Sequence, residues 1–383
     1  MAIGQTTLSQ QNTNSGSITG VENTVLIIGL NDENSADAVT DSAAFRLHTI
    51  GQDTDLDGIL GAADSTLKAT IEAAKLNAGP LFTAYVVPLY TGGYDDWYTA
   101  LETALEAPHD IEPELVFLTD VTASADIDTL QAACVAAELE FAKYLTIHAP
   151  TPAIDPATQS WDEWLTATKA INNDEVADRV YLIPVTHEQN VGVILGRLVN
   201  ENTSIADTPM RVQSGVVLGL GDAPADKNGN PLTMAHLKEL ANNRFSVPQW
   251  YTGKPGIFWA DHTSLDAPGG DFTVIENRRV IDYLSRRLRL QMINKIGDRS
   301  LNSSESSTAY HASYFGKTLK DATKGSTIAG NAVPGLIKKP DDGDIVITWQ
   351  TTKAVELSFL AAPVDCPKKI TGYIALDLNR LEA

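Results

Sequence analysis

Residues 115–149, LVFLTDVTASADIDTLQAACVAAELEFAKYLTIHA, pass from an apolar stretch through a long helical pattern into a second apolar stretch. Leu115–Val121 and Tyr144–Ala149 have the length and β-branched content of buried strands, whereas Asp126–Phe141 is too long for anything but a helix. Two strands joined through a helix imply a right-handed crossover and parallel pairing. The alternation continues on both sides. Upstream, Thr24–Leu30 (TVLIIGL) and Phe82–Tyr90 read as strands, with Ser65–Leu76 and Trp97–Glu106 as helices. Downstream come a helix at Trp161–Ile171, a strand at Arg179–Thr186, a helix at Gln189–Asn200 and a strand at Met210–Leu220. The fold class is α/β: a layered body around a mixed, largely parallel sheet.

The character changes further along. Gly221–Pro231 (GDAPADKNGNP) is turn chemistry with an Asn-Gly pair. Beyond Gly256–Asp261 an amphipathic helix runs from about Ile275 to Ile296, and Ser300–Gly335 reads as polar and irregular. Three period-two stretches follow, Asp344–Thr351, Val355–Ala361 and Lys369–Asn379, each a strand pattern. The expected division is a polar N-terminal arm (1–22), the α/β body (23–258), a smaller α+β C-terminal domain with a basic helix and a β hairpin (259–365), and an extended C-terminal strand arm (366–383).

Hydrophobic residues make up 43% of the chain and charged residues 20%, enough to build a buried core. The formal net charge is −21, from 49 acidic and 28 basic side chains. Such a surface repels phosphate backbones and anionic lipid, so neither nucleic acid nor membrane is an expected partner. Cys134 and Cys366 are the only cysteines, without CxxC spacing, so neither a disulfide framework nor a zinc site is expected. Synthesis in a reducing cytoplasm fits that usage. The first twenty residues hold no charge and no apolar run, which is not the pattern of a signal peptide. No stretch has the 18 or so apolar residues of a membrane span.

The turn after the first strand, Gly29-Leu30-Asn31-Asp32, has neither GxGxxG nor GxxxxGK[ST], so a phosphate cradle is not expected. No HExxH or GxSxG occurs. His187 follows a strand, at the end where α/β folds place ligands, but one residue makes no catalytic constellation. The alternative function is therefore an enzyme or ligand-binding protein with its site at the strand ends. Asp53-Thr54-Asp55-Leu56-Asp57-Gly58, with Asp64 in twelfth place, has the oxygen spacing of a calcium loop. A metal there would use Asp53, Asp55, Asp57 and Asp64. Against it stand Asp instead of the bidentate Glu and a short entering segment, Ala43–Ile50. The plain alternative is an acidic loop with Asp64 capping the next helix.

Residues 276–300 carry Arg278, Arg279, Arg286, Arg287, Arg289, Lys295 and Arg299 against three acids. Ile281, Leu284, Leu288, Met292 and Ile296 make one apolar stripe, while Arg279, Arg286 and Arg287 lie opposite and Arg289 lies on the flank. In so acidic a chain, a one-sided arginine cluster suits an acidic partner.

The C-terminal third resembles the contractile tail sheath family. Trp259-Ala260-Asp261-His262-Thr263 is similar to that family's Trp-Gly-x-Arg-Thr segment, with Ala260 for glycine and His262 for arginine. Asn277-Arg278-Arg279-Val280 is similar to its Val-Arg-Arg helix opening, and Phe359–Cys366 to its Ala-Pro-x-x-Pro passage. The aromatic-rich segment usual after the helix is missing. The order of parts resembles the family along the whole chain.

The resemblance implies a structural subunit, not an enzyme. It would form stacked hexameric rings around a tail tube, meet baseplate and tail terminator proteins, and contract to drive the tube through an envelope. Assembly would occur in the host cytoplasm and the product would be a virion tail, with no cofactor. Arg279, Arg286, Arg287 and Arg289 would face the tube. Strand exchange between subunits would use Ile370, Ile374, Leu376 and Leu378, which alternate with Thr371, Tyr373, Asp377 and Asn379.

Overall fold

The computed structural model describes residues 22–36, 42–119, 126–172, 175–328 and 330–376. In chain order its elements are β1 (Val25–Leu30), β2 (His48–Gly51), α1 (Asp57–Leu60), α2 (Thr66–Ala78), β3 (Thr83–Leu89), α3 (Trp97–Leu105), β4 (Leu115–Leu118) and α4 (Asp126–Phe141). Then follow β5 (Thr146–Thr151), α5 (Trp161–Asn172), β6 (Val180–Pro184), α6 (Asn190–Leu198), α7 (Met234–Asn242), β7 (Pro248–Tyr251) and β8 (Lys254–Trp259). The last are α8 (Ile275–Ile293), α9 (Glu305–Ala322), β9 (Ser326–Ile328), β10 (Asn331–Val333), β11 (Ile345–Thr351) and β12 (Ala354–Phe359).

The central sheet has the order β2-β3-β1-β4-β5-β6. Its strands are parallel except β2, which pairs antiparallel at the edge and makes the sheet mixed. Because side chains alternate across a strand, β1 divides itself between two cores. Leu26 and Ile28 pack with Val87, Val116 and Leu118 under α3, α4, α5 and α7. Val25 and Ile27 pack with Val86, Leu115 and Phe117 under α2 and α6. On that face α6 lies very close to α2. A Cβ on Gly192 would stand 2.2 Å from Thr70 O, and one on Gly196 would stand 2.3 Å from Ala74 O.

The α8 helix starts inside the body, where Ile275 joins the core beneath α2 and α6. Farther along, Val280, Leu284 and Leu288 pack with Leu319, Ala322 and Ile337 in a separate core beside the β11–β12 hairpin.

Two expectations are corrected. Met210–Leu220 is not a strand: only Val212–Ser214 is regular, as a single 3-10 turn. Gly215, Gly219 and Gly221 adopt positive φ, which breaks an extended run. The Arg197 guanidinium takes up the carbonyls of Pro209, Arg211, Ser214 and Gly215 that a ladder would have used. Ser300–Gly335 is not irregular, because α9 occupies half of it. Ser304 caps that helix by accepting from Ser307 N, and His311, Phe315, Leu319 and Ala322 form its buried row. Residues 369–376, expected to pair with a neighbouring subunit, pair with no strand among the described residues. The N-terminal arm up to residue 21, and the end of the chain from residue 377 with Leu378 and Asn379, lie outside the described residues.

Candidate functional site

The crevice at the strand ends is filled by the protein itself. Asn31 Nδ2 donates to Leu60 O (2.7 Å) and to the Tyr90 hydroxyl (3.2 Å). Asn34 Nδ2 donates to Asn31 Oδ1 (2.9 Å) and Ala63 O (3.0 Å). A Cβ on Gly29 would fall 1.7 Å from Thr119 Oγ1, so the threonine packs where a phosphate would approach the first turn. His187 is buried, with its ring against Thr186 Oγ1 (3.1 Å), and burial lowers it to about 4. These residues hold one another in place.

The Asp53–Asp64 loop is organised by a lysine that the sequence reading missed. The Lys68 ammonium bonds to Asp57 and to the carbonyls of Gly61 (2.9 Å) and Ala63 (3.0 Å). Asp55 accepts from Asp57 N (3.1 Å), and Ser65, not Asp64, caps α2. The entering segment is strand β2 instead of a helix. Among the described residues, no group of three or more His, Cys, Asp or Glu side chains is arranged to hold a metal ion. No helix there is long and apolar enough to cross a membrane.

The largest correction concerns the arginines of α8. Arg279 is buried and donates through Nε and Nη2 to the two Glu114 oxygens (both 2.8 Å), and through Nη1 to Leu198 O (2.9 Å). Burial pushes the Glu114 carboxyl up, but the Arg279 guanidinium outweighs it and the carboxyl ends below its ordinary range. Arg286 is buried as well, bonded to Tyr144 O (3.3 Å) and Glu22 (3.4 Å). These two cannot be tube-facing surface groups, because the body covers them. Arg287 is partly exposed, pairs with Glu22 (2.8 Å) and stacks on Tyr283. Arg289 is partly exposed. Deeper in, Arg179 joins Asp282 (3.0 Å) and Glu138 (2.9 Å), while Arg278 joins Asp178 (3.0 Å). The polar side of α8 thus bolts the helix to the body. The one signal in the sequence was Ile275, an apolar residue on the same helical face as Arg279, Asp282 and Arg286.

The Trp259–Thr263 segment forms a buried hydrogen-bond chain. Trp259 Nε1 donates to Ser246 Oγ (2.8 Å), and the Ser246 hydroxyl meets His262 Nδ1. His262 Nε2 in turn lies 2.8 Å from His148 Nδ1, and His148 Nε2 lies 3.0 Å from Thr146 Oγ1, so each contact in the chain shares a single proton. Both rings are fully buried and stack with each other and with Tyr181, and His148 also stacks with Phe117. Burial, reinforced by the Arg279 charge, lowers His262 to about 3, and His148 is held well below its ordinary value.

Comparison with known proteins agrees along the whole chain. Residues 3–263 match the family described as DUF2586, N-terminal domain, and residues 271–379 match DUF2586, C-terminal domain. A protein of Haemophilus phage HP1 (strain HP1c1), named "Putative tail sheath protein", is 37% identical over 374 residues, 96% of each chain. The sheath of an extracellular contractile injection system, PVC, in its contracted state has the same fold at TM-score 0.60 and 12% identity, covering 99% of this chain and 98% of its own. The sheath tail protein of Desulfitobacterium hafniense gives TM-score 0.56 at 12% identity, with 95% and 97% covered. A chain of the anti-feeding prophage baseplate gives 0.56 at 13%, with 99% and 100% covered. The family matches and the relative from the Haemophilus phage agree, and the chain belongs to the DUF2586 family of tail sheath proteins, as a structural subunit and not an enzyme.

Proposed function

We propose that this chain polymerises with copies of itself around a tail tube, and that the sheath contracts to drive the tube through a host envelope. The C-terminal segment carries the reading. Ile370, Ile374 and Leu376 are 84, 102 and 81% exposed, at the even spacing of a strand that joins no sheet among the described residues. The β11–β12 hairpin supplies the complement: it is a two-stranded sheet with an unpaired edge on each strand among the described residues. Beside it, Met292, Ile296, Phe315, Trp349 and Leu357 line an open groove. A segment from a neighbouring copy would find main-chain partners on the edge and apolar contacts in the groove. Leu378 and the N-terminal residues 1–21 belong to the same proposal.

Charge supports a division of labour between the two parts. Residues 271–383 carry 16 Lys and Arg against 13 Asp and Glu, whereas residues 1–270 carry 12 against 36. With Arg279 and Arg286 enclosed, an acidic tube would meet Arg289 and other cations without ion pairs among the described residues, such as Arg299, Lys317 and Lys320. Stacked six-fold rings, a tube protein, baseplate and terminator partners, and assembly in the host cytoplasm before incorporation into the virion tail are part of this reading. No metal is invoked at the Asp53–Asp64 loop, where the Lys68 ammonium supplies the positive charge.

Electron microscopy of the full chain, with and without its tube protein, tests the proposal, together with a chain ending at Lys368. The full chain should build tubes of stacked rings. The shortened chain should melt at the same temperature, since residues 369–376 make no hydrogen bond or ion pair with the other described residues, yet fail to polymerise. Unimpaired polymerisation of the shortened chain would defeat the exchange mechanism.

A further inference from the structure

The last described residues are anchored to the subunit at one charged point. Up to Asp365 the chain is held by its own domain: Lys338 N donates to Ala362 O (2.7 Å), Val364 N donates to Leu336 O (3.1 Å), and Lys338 pairs with Asp365 (2.5 Å). From Lys369 to Leu376 nothing comparable holds it among the described residues, and Tyr373 is 94% exposed. Between these two regions stands Lys368. Its Nζ lies 2.8 and 2.6 Å from the Asp261 oxygens and 2.6 Å from Glu276 Oε1. Asp261 follows β8, where the body ends, and Glu276 lies in the first turn of α8. One lysine of the segment therefore spans the two elements that join the body to the long helix.

This is not an ordinary surface pair. Glu276 is buried, and its Oε2 has no partner. Burial pushes the Glu276 carboxyl up, Lys368 pulls it back, and Asp261 adds to the upward push. Neighbouring cations on α8 are engaged elsewhere, Arg278 with Asp178 and Arg279 with Glu114. If Lys368 left, two carboxyl groups would face each other, one of them buried, and Glu276 would tend to take up a proton. Departure of the lysine is therefore costly, while movement of the residues beyond it breaks no such bond.

We propose that Lys368 is a clasp that fixes where the C-terminal segment leaves the subunit, so that residues up to 368 stay with their own subunit and only those beyond are exchanged. The use made of the free part rests on the strand-exchange reading above, but the clasp is a property of the single subunit. Its consequence is reach. Eight residues, 369–376, extend about 26 Å from the clasp at roughly 3.3 Å each. Without it the last tether is Asp365, and the segment gains about 10 Å of slack.

Spin labels test this in the full-length chain, kept dilute and at low salt so that it stays monomeric. One label goes on Tyr373→Cys and one on Leu139→Cys, an exposed position on α4, in a Cys366→Ser background with Cys134 buried. Double electron–electron resonance should give a distance distribution at least about twice as wide in Lys368→Met as in the parent, with Lys368→Arg close to the parent. Because Lys368→Met leaves a buried carboxylate without its cation, Lys368→Met/Glu276→Gln serves as a second variant, with both buried charges removed. A parental width in either folded Met variant overturns the clasp. The two proposals fail separately: a chain ending at Lys368 that still polymerises removes strand exchange, while the label distances continue to report the clasp.

Discussion

At Arg279 the guanidinium and the Glu114 carboxylate are both 2% exposed, and each closes the other's hydrogen bonds. Removing one member of such a pair leaves a buried charge uncompensated, at a cost of about 3–5 kcal/mol. Arg279→Met is expected to lower the unfolding free energy by about that much in urea titrations, while Arg289→Glu should change it by less than about 0.5 kcal/mol. Equal, small effects would mean that this face of α8 is solvated after all. The His148–His262 pair predicts a pH dependence. Both rings titrate near 6.5 when unfolded and are held lower in the fold, so the unfolded chain binds more protons below that pH. Their contribution is complete above about pH 6.5 and is lost as pH falls, by up to about 1.4 kcal/mol per pH unit for each ring. His262→Gln removes one titration, so the slope of stability between pH 6 and 4 should flatten by about that amount. An unchanged slope would contradict a neutral, buried His262. Arginine at 279 and histidine at 262 were visible in the sequence. Their partners Glu114 and His148 were not, since they lie 165 and 114 positions away.

Elements were legible where their period was carried by apolar residues. The α4 pattern gives Asp126–Phe141 to the residue, and the five parallel strands of the sheet lie where short β-branched runs predict them. Edge strand β2 was missed because His48–Gly51 is only four residues long and half-buried. Helix α9 was missed because Ser306, Ser307, Thr308, Ser313 and Thr318 fall within it, and such residues favour caps and turns in isolation. Packing of its His311–Phe315–Leu319 row overrides that preference. Between α2 and α6 the sequence spells Gly192-x-x-x-Gly196, and the two helices approach through those positions. Intrinsic propensity alone would make Gly192→Ala stabilising by about 1 kcal/mol. Its Cβ would instead meet the backbone oxygen of Thr70, which cannot rotate away, so a net loss of about 1–3 kcal/mol is expected. Thermal or denaturant unfolding of the variant decides the sign, and a stabilised protein would refute the close packing.

For the whole molecule, charge is distributed by domain more than by surface. Bodies carrying 36 acids against 12 bases repel one another, and that repulsion is screened over about 10 Å at 0.1 M salt and about 3 Å at 1 M. Self-assembly without a tube should therefore strengthen as salt rises from about 0.05 to 0.5 M. Sedimentation velocity measures it, and assembly that weakens with salt would mean that ion pairs, not apolar strands, link the copies. The sequence by itself determined the layered α/β body, the long helix, the hairpin and the C-terminal alternation, because helix and strand periods are local properties of the chain. Its short motifs and the order of its parts were enough to point to the sheath family. Only the tertiary structure decided which charges meet water. An arginine looks the same in sequence whether it faces solvent or a carboxylate from a distant strand, and burial on α8 follows from how the helix seats in the body. The same holds for Lys68 in the acidic loop and Lys368 at the root of the C-terminal segment: the cost of burying a charge is set by the partner that folding brings to it.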